Sequence, residues 1–534
     1  MSAPGRAAPA EDFPLIDSSS LWGLVEARAA ETPDALFAVD EDDRSLSFVE
    51  YRDATLRCAA GLAGRGIGRE TRVSWQLPTT FEALVLVAGL SRLGAVQNPI
   101  LPIYREREVG FVTRQSEAAL LVVPTGFRGF EFGAMADTIA AGQSGLEVLR
   151  VDDSLPEGDP TSLEPYLAAR DSDLRWLFYT SGTTAEPKGA KHTDRTLLVA
   201  SHGMCQRLCL REDDRIALVF PLTHVGGVLW LMNGLRSGCA QIVVPVFDPS
   251  TSIEVLARHG VTQATAGTVF HQAYLAAQRE NPGQPLFSNV RCFPGGGAPK
   301  PPQLHLDVKK EMGGVGIVSG YGLTECPVLA MNSVNDPDPK LAHTEGRACP
   351  EETEIRVVTL ADERAAVGEE GEIRVKARQL CLGYLDSSLD AEAFDEDGFF
   401  RTGDLGFVDF DGFVVITGRL KDVIIRKGEN ISAKEVEDFL YQHPKVADAA
   451  VIGLPDPTSG ERACAVVVCK DGVEPLTLDE VSGFLRERGL MVQKLPEQLE
   501  VVVELPRNPT GKVLKHELRK QFSDAGDPED RPLR

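Results

Sequence analysis

Between Thr180 and Gly189 the chain reads Thr-Ser-Gly-Thr-Thr-Ala-Glu-Pro-Lys-Gly, which sets four hydroxyls, two glycines and one lysine within ten residues. Such a stretch is equipped for phosphate oxygens. Backbone N–H groups of a small-residue loop can converge on an anion, Thr180, Ser181, Thr183 and Thr184 add hydroxyl donors, Gly182 adds freedom, and Lys188 adds a point charge. The spacing departs from GxxxxGK[ST], because Lys188 precedes Gly189 and Gly182 stands too close to it. Taken alone, a Ser/Thr/Gly loop is equally ordinary turn material. Other residues able to do chemistry stand where apolar runs end. His224 lies in Pro-Leu-Thr-His-Val-Gly-Gly, Thr324 and Glu325 close Gly-Tyr-Gly-Leu-Thr-Glu, and Asp404 follows Phe-Phe-Arg-Thr-Gly. Arg419 and Lys421 share Gly-Arg-Leu-Lys-Asp, and Lys512 ends Pro-Arg-Asn-Pro-Thr-Gly-Lys.

The elements that must hold these residues alternate. Residues 176–179 read as a strand entering the loop, and 194–208 as a helix capped by Thr193 or Asp194. A strand, loop and helix are therefore expected to frame the phosphate cradle. Upstream, helices are expected at 21–30, 48–63 and 80–93, a hairpin-like pair at 36–46, and strands at 73–76, near Val96 and at 120–123. Downstream, strands at 216–220, 242–246, 263–266, 291–293 and 315–319 surround a helix at 252–258. Several of these strands end in Gly-rich or hydroxyl-rich loops, where open α/β sheets collect their ligands. From 354 to 415 short β pieces replace helical periods, which suggests a small antiparallel unit with Asp404 at a strand end. A capping box, Ser432 with Glu435, then opens a helix at 433–442. Strands at 447–452, 463–470 and 498–503 and a helix at 478–488 complete a compact α+β module. The expected fold class is α/β, with parallel-sheet subdomains and a small β-rich subdomain in a large N-terminal domain. A small mobile α+β C-terminal domain follows.

Composition sets bounds on function. The 534 residues carry a net charge of -24, which argues against nucleic acid or an anionic membrane as partner. Fields are screened beyond ~8 Å at cellular salt, so local basic loops still suit small anionic substrates. No apolar run approaches the ~20 residues of a membrane span. Residues 1–12 are Ala/Pro-rich without the apolar stretch of a secretory signal. The ten cysteines show no metal-ligand spacing, so reduced thiols in a cytoplasmic protein are expected. A homo-oligomer is compatible with the sequence, which does not specify one.

Five separated motifs together resemble one family: TSGTTAEPKG from Thr180, PLTHVGG around His224, GYGLTE from Gly320, RTGD ending at Asp404, and GRLKD…KGENIS with PTGK ending at Lys512. In this order they resemble the AMP-forming acyl-CoA synthetases, a superfamily shared with peptide-synthetase adenylation domains and luciferases, over nearly the whole chain. The resemblance implies an adenylation domain at 1–417, a hinge at 418–421 and a small domain at 422–534. It implies that the loop from Thr180 to Lys188 holds the β- and γ-phosphates, with Thr184 and Glu325 on Mg²⁺. Gly297, Ala298, Gly320, Tyr321, Gly322 and Thr324 would surround the nucleotide, with Tyr321 against adenine. Asp404 would accept the ribose hydroxyls beside Arg419. Lys512 would meet the α-phosphate and the attacking carboxylate, and His224 would gate the acyl carboxylate. Val225, Trp230, Val269, Phe270, Leu323 and Cys326 are candidate walls of an acyl pocket with His224 and Gly297. The small domain would turn about Lys421 and present Lys427 and Gly428 to the pantetheine of coenzyme A. One departure is Ala185, where the family loop usually has glycine; were φ positive there, alanine would cost ~1 kcal/mol or more.

The implied reaction joins ATP and a carboxylic acid into an acyl-adenylate, releasing pyrophosphate, and then transfers the acyl group to coenzyme A. The loop together with Gly-Glu-Asn-Ile-Ser is most similar to the bacterial branch that uses medium-chain and alicyclic acids, such as cyclohexanecarboxylate–CoA ligases. Delivery to a carrier protein and a catalytically dead nucleotide sensor are the alternatives. The joint presence of Lys512, Glu325, Asp404 and Arg419 weighs against the sensor.

Overall fold

Six strands stack around the segment that enters the hydroxyl-rich loop. Their order is Glu147–Arg150, Leu120–Val123, Arg72–Trp75, Val96–Pro99, Trp176–Thr180 and Lys188–His192. Neighbours are parallel except the last pair. The computed structural model describes residues 15–152, 154–180, 187–298, 300–426, 429–508 and 511–523. Leu120–Val123 is buried at every position, as expected of a strand covered on both faces. The covering helices begin where the sequence caps them. Ser47 and Glu50 form a capping box for Phe48–Ala63, and Thr80 caps Phe81–Leu93, which stops at Gly94 with φ 68°.

The hairpin expected at 36–46 forms, but Leu36–Asp40 also pairs in parallel with Ala240–Val243, which pairs with Arg215–Leu218. The first α/β run therefore donates an edge to the second. Residues 263–266, expected as a strand, carry only isolated bridges from Gln263 to Ile216 and Cys292. Helices Glu106–Gln115, Phe132–Ala141, Val225–Ser237, Thr268–Glu280 and Pro302–Met312 add to those expected. Val225–Ser237 is buried at nearly every position, so no amphipathic period marks it in the sequence. Phe293–Gly296 and Ile317–Tyr321 are parallel neighbours, so their glycine-rich ends emerge side by side.

The β-rich unit is a wholly antiparallel sheet of Glu354–Val358, Gly371–Lys376, Phe400–Val408 and Val414–Arg419. Asp404 lies inside its nine-residue third strand, not at a strand end. The small C-terminal domain is a five-stranded sheet built on Val446–Asp456 and Gly460–Cys469. Helices Ala433–Leu440 and Leu478–Glu487 bury Val436, Leu440, Val481 and Leu485 against it.

Candidate active site

The phosphate-type loop is held by a hairpin. Thr180 ends one strand and Lys188 begins the next, and the two residues are register partners. Ser181, Gly182, Thr183, Thr184 and Ala185 lie outside the described residues. The expectation that this loop runs into a helix is corrected: the strand Lys188–His192 intervenes, and helix Asp194–Leu208 starts only after it. The Thr193 hydroxyl caps that helix by accepting from Thr196 N at 3.2 Å. Lys-Gly-Ala-Lys-His has little intrinsic strand preference. It is fixed by pairing on both sides, with Trp176–Thr180 and with the segment at 382–385, where Lys191 N donates to Gly383 O at 3.0 Å and Leu385 N to Gly189 O at 2.7 Å.

That second pairing delivers a residue the sequence reading missed. Tyr384 is buried and donates its hydroxyl to Glu325 Oε1 at 2.6 Å, while Lys188 Nζ stands 5.4 Å from the centre of its ring. One tyrosine thus touches both the loop lysine and the acid of the Gly-Tyr-Gly-Leu-Thr-Glu turn. Gly322 permits that turn, since a Cβ there would come within 2.3 Å of Val328 N. His192 was also missed. Its Nε2 donates to the Thr324 carbonyl at 2.8 Å and its Nδ1 faces the Thr196 hydroxyl at 2.9 Å. Full burial lowers its pKa to about 4, so it bridges loop and turn as a neutral ring. The only hint in the sequence was a tyrosine after Gly383 and a histidine before a helix cap.

Asp404 and Arg419 are register partners on adjacent strands and form an ion pair, with Arg419 Nε 2.6 Å from Asp404 Oδ1. The Tyr321 hydroxyl donates to Asp404 Oδ2 at 2.8 Å. One carboxylate oxygen thus faces the Arg419 charge and the other accepts from Tyr321, and each keeps a lone pair for a further hydroxyl. Burial, with Asp404 beside it, raises the Tyr321 pKa well above the usual range, so the phenol stays protonated as that donor.

Lys512 comes to the same place from the small domain. Its backbone N–H donates to Asn508 Oδ1 at 2.9 Å. Gly511 has φ 83°, and a Cβ there would meet Val269 Cγ2 at 2.5 Å, so the turn lies directly on helix Thr268–Glu280. The charges of Asp404, Arg419, Lys421 and Asp422 act on the Lys512 ammonium. Burial, then the Arg419 and Lys421 charges, lower its pKa to about 8, against the opposing pull of the two aspartates. Lys421 occupies the turn Leu420–Asp422 between the antiparallel sheet and the small domain. Lys427 and Gly428 lie outside the described residues.

His224 N-caps helix Val225–Ser237, its Nδ1 accepting from Gly226 N at 3.0 Å, and its ring meets Phe220 edge-on at 4.8 Å. Burial lowers its pKa to about 4. With Nδ1 committed as acceptor, the ring proton is on Nε2. His224, Val225, Thr324 and Tyr179 line one small cavity together with Thr223, and the Tyr179 and Thr223 hydroxyls are buried there without a hydrogen-bond partner among the described residues. Phe270 is 6.4 Å from Phe220 and extends that aromatic wall. Val269 and Leu323 are half-buried, Gly297 is exposed with φ 78°, and Ala298 is half-buried beside it. Trp230 is taken into the main core among Leu229, Leu231 and Met232, and Cys326, with 0% exposure, packs against Ala190, Leu329 and Ile373 in the β-rich unit. Among the described residues no group of three or more His, Cys, Asp or Glu side chains is placed to hold a metal. Glu325 offers carboxylate oxygens of the kind a hard cation takes, one of them engaged by Tyr384. No helix of the described residues is long and apolar enough to cross a membrane.

Residues 25–385 match the model of the AMP-binding enzyme family, and residues 435–512 match that of the AMP-binding enzyme C-terminal domain. The chain is 32% identical to the medium-chain fatty-acid–CoA ligase of Escherichia coli (strain K12) over 527 residues, 95% of this chain and 91% of that one. It is also 32% identical to the salicyl-AMP ligase / salicyl-S-ArCP synthetase of Mycobacterium tuberculosis, over 97% of this chain and 91% of the relative. Among solved structures, ATP-bound MatB from Rhodopseudomonas palustris superposes with a TM-score of 0.84 at 27% identity, over 95% of this chain and 99% of that chain. The family match spans more than half of the chain, which belongs to the AMP-binding enzyme family of adenylate-forming acid ligases.

Proposed function

We propose that this chain is an acid–thiol ligase that converts an apolar carboxylic acid, medium-chain or alicyclic, through an acyl-adenylate into acyl-CoA. The observation that carries the reading is the arrival of Lys512 beside Asp404 and Arg419. A carboxylate attacking the α-phosphate brings two anions together, and a buried ammonium at that point stabilises the charge that develops. In this reading Thr180 to Lys188 hold the outer phosphates, Tyr321 and Asp404 orient the nucleoside, and Glu325 with Thr184 holds Mg²⁺. The cation, when bound, neutralises phosphate charge. Lys188 and Glu325 keep a fixed relation because Tyr384 touches both.

The aromatic and aliphatic wall of Phe220, Val225 and Phe270 favours an apolar acyl group, with the His224 Nε2–H as its polar end. Rotation about Lys421 would then withdraw Lys512 and bring Lys427 and Gly428 to the acyl phosphate for attack by the coenzyme A thiol. A panel of straight-chain, alicyclic, aromatic and amino acids, assayed for coenzyme A-dependent AMP release, tests this. Six- to ten-carbon apolar acids should lead, and preference for amino acids would refute it. Delivery to a carrier protein is the second reading, favoured by the similarity to the salicyl-AMP ligase. Acyl transfer to a pantetheine-bearing carrier but not to coenzyme A would establish it instead.

A further inference from the structure

Helix Asp194–Leu208 has a second face away from the loop. Residues 195, 198, 199, 202, 203 and 206 recur at helical spacing and line a cleft of about 650 Å³. The facing wall comes from Asn335, from the turn at Cys349 and Pro350, and from Arg378. None of these belongs to the candidate catalytic set, and the volume is that of a small-molecule site. In a chain of net charge -24 the lining includes Arg195, Arg207, Arg236 and Arg378.

Two of these arginines are neutralised by neighbours. Arg236 Nη1 is 3.1 Å from Asp17, and Arg378 Nη1 is 3.6 Å from Glu352, which stands exposed at the rim with Glu351. The other two are not. Arg207 donates to the Ala348 carbonyl at 2.9 Å and has no carboxylate partner among the described residues. Arg195 has neither a hydrogen-bond nor an ion-pair partner among the described residues, and its Nε is buried from water. Between them, His202 Nδ1 is 3.4 Å from Arg236 Nη1 and can only accept there, so a neutral ring carries its proton on Nε2. A buried guanidinium N–H without an acceptor is unfavourable, and a ligand oxygen would satisfy it.

We propose that this cleft binds a small organic polyanion bearing carboxylate or phosphate groups, held by Arg195 and Arg207 with His202 as a neutral donor. Planar guanidinium groups match both kinds of oxyanion. The test is calorimetry on the full chain saturated with a non-hydrolysable ATP analogue, so that the catalytic phosphate loop is filled. Citrate and inorganic pyrophosphate serve as the two probes. One equivalent of at least one probe should bind, more weakly as salt is raised, and the probe that binds identifies carboxylate or phosphate as the recognised group. Arg195→Gln and Arg207→Gln should each weaken binding about tenfold or more, while both variants keep acid-dependent AMP formation. That activity also verifies folding, and should one variant fail to fold, the other carries the test. No binding by either probe, or binding unchanged in the folded variants, would overturn the assignment.

Discussion

A lysine that stabilises charge in the acyl-adenylate step must be protonated when it acts, and the surroundings of Lys512 place its pKa at about 8. Because the shift is downward, the charge is present below that value and is lost as pH rises through it. At pH 7 the group is about nine-tenths charged and at pH 9 about one-tenth. The pH dependence of kcat/KM for ATP reports the free enzyme. Measured by acid-dependent pyrophosphate exchange, it should therefore fall about tenfold between pH 7 and pH 9. Lys300 also has a pKa of about 8, lowered by burial, and donates to the Ala342 carbonyl at 2.8 Å. Substitution separates the two. Lys512→Arg keeps a charge at all accessible pH and should flatten the alkaline limb, whereas Lys300 is untouched by that change. Lys512→Ala should have no limb either, and a rate about 10²- to 10³-fold lower, since a unit charge ~4 Å from a phosphate is worth up to about 4 kcal/mol at an effective dielectric of ~20. An alkaline limb that persists unchanged in Lys512→Arg would refute the reasoning.

Tyr384→Phe removes the hydroxyl that donates to Glu325 at 2.6 Å. The Mg²⁺ concentration for half-maximal exchange should rise about tenfold with a smaller change in kcat; an unaltered Mg²⁺ titration would reduce Tyr384 to packing. Asp404→Asn deprives Arg419 and the nucleoside of a carboxylate, so KM for ATP should rise about ten- to a hundredfold, and an unchanged KM would take Asp404 out of the nucleotide site. Gly428→Leu should spare pyrophosphate exchange and block thioester formation, while Lys512→Ala given pre-formed acyl-adenylate should still pass the acyl group to coenzyme A. Equal loss of both half-reactions in both variants would remove support for a turning small domain.

Much of the frame was legible in the sequence because its signals are local. Ser432 with Glu435 marks a helix start, and Thr193 caps the helix expected at 194–208. The spaced motifs located Glu325, Asp404, Arg419 and Lys512 without showing what each would touch. What stayed hidden depends on partners remote in sequence. Lys188–His192 is a strand only because it pairs on both sides, so its five residues carry no strand pattern of their own. Tyr384 and His192 are polar residues in apolar surroundings, and each matters through one hydrogen bond to the Thr324–Glu325 turn. Cys326, next to that turn, packs into the core of the β-rich unit, a placement no local pattern announced.

The central claim is that a carboxylate oxygen attacks the α-phosphate of ATP. Supply the protein with ATP, Mg²⁺, coenzyme A and an apolar carboxylic acid labelled with ¹⁸O in its carboxylate, and analyse the nucleotide product by mass spectrometry. Attack at the α-phosphate followed by thiol attack at the acyl carbon leaves one labelled oxygen on AMP and the other in the thioester carbonyl of acyl-CoA, with unlabelled pyrophosphate as the remaining product. Label in inorganic phosphate, with ADP as the nucleotide, would contradict the account.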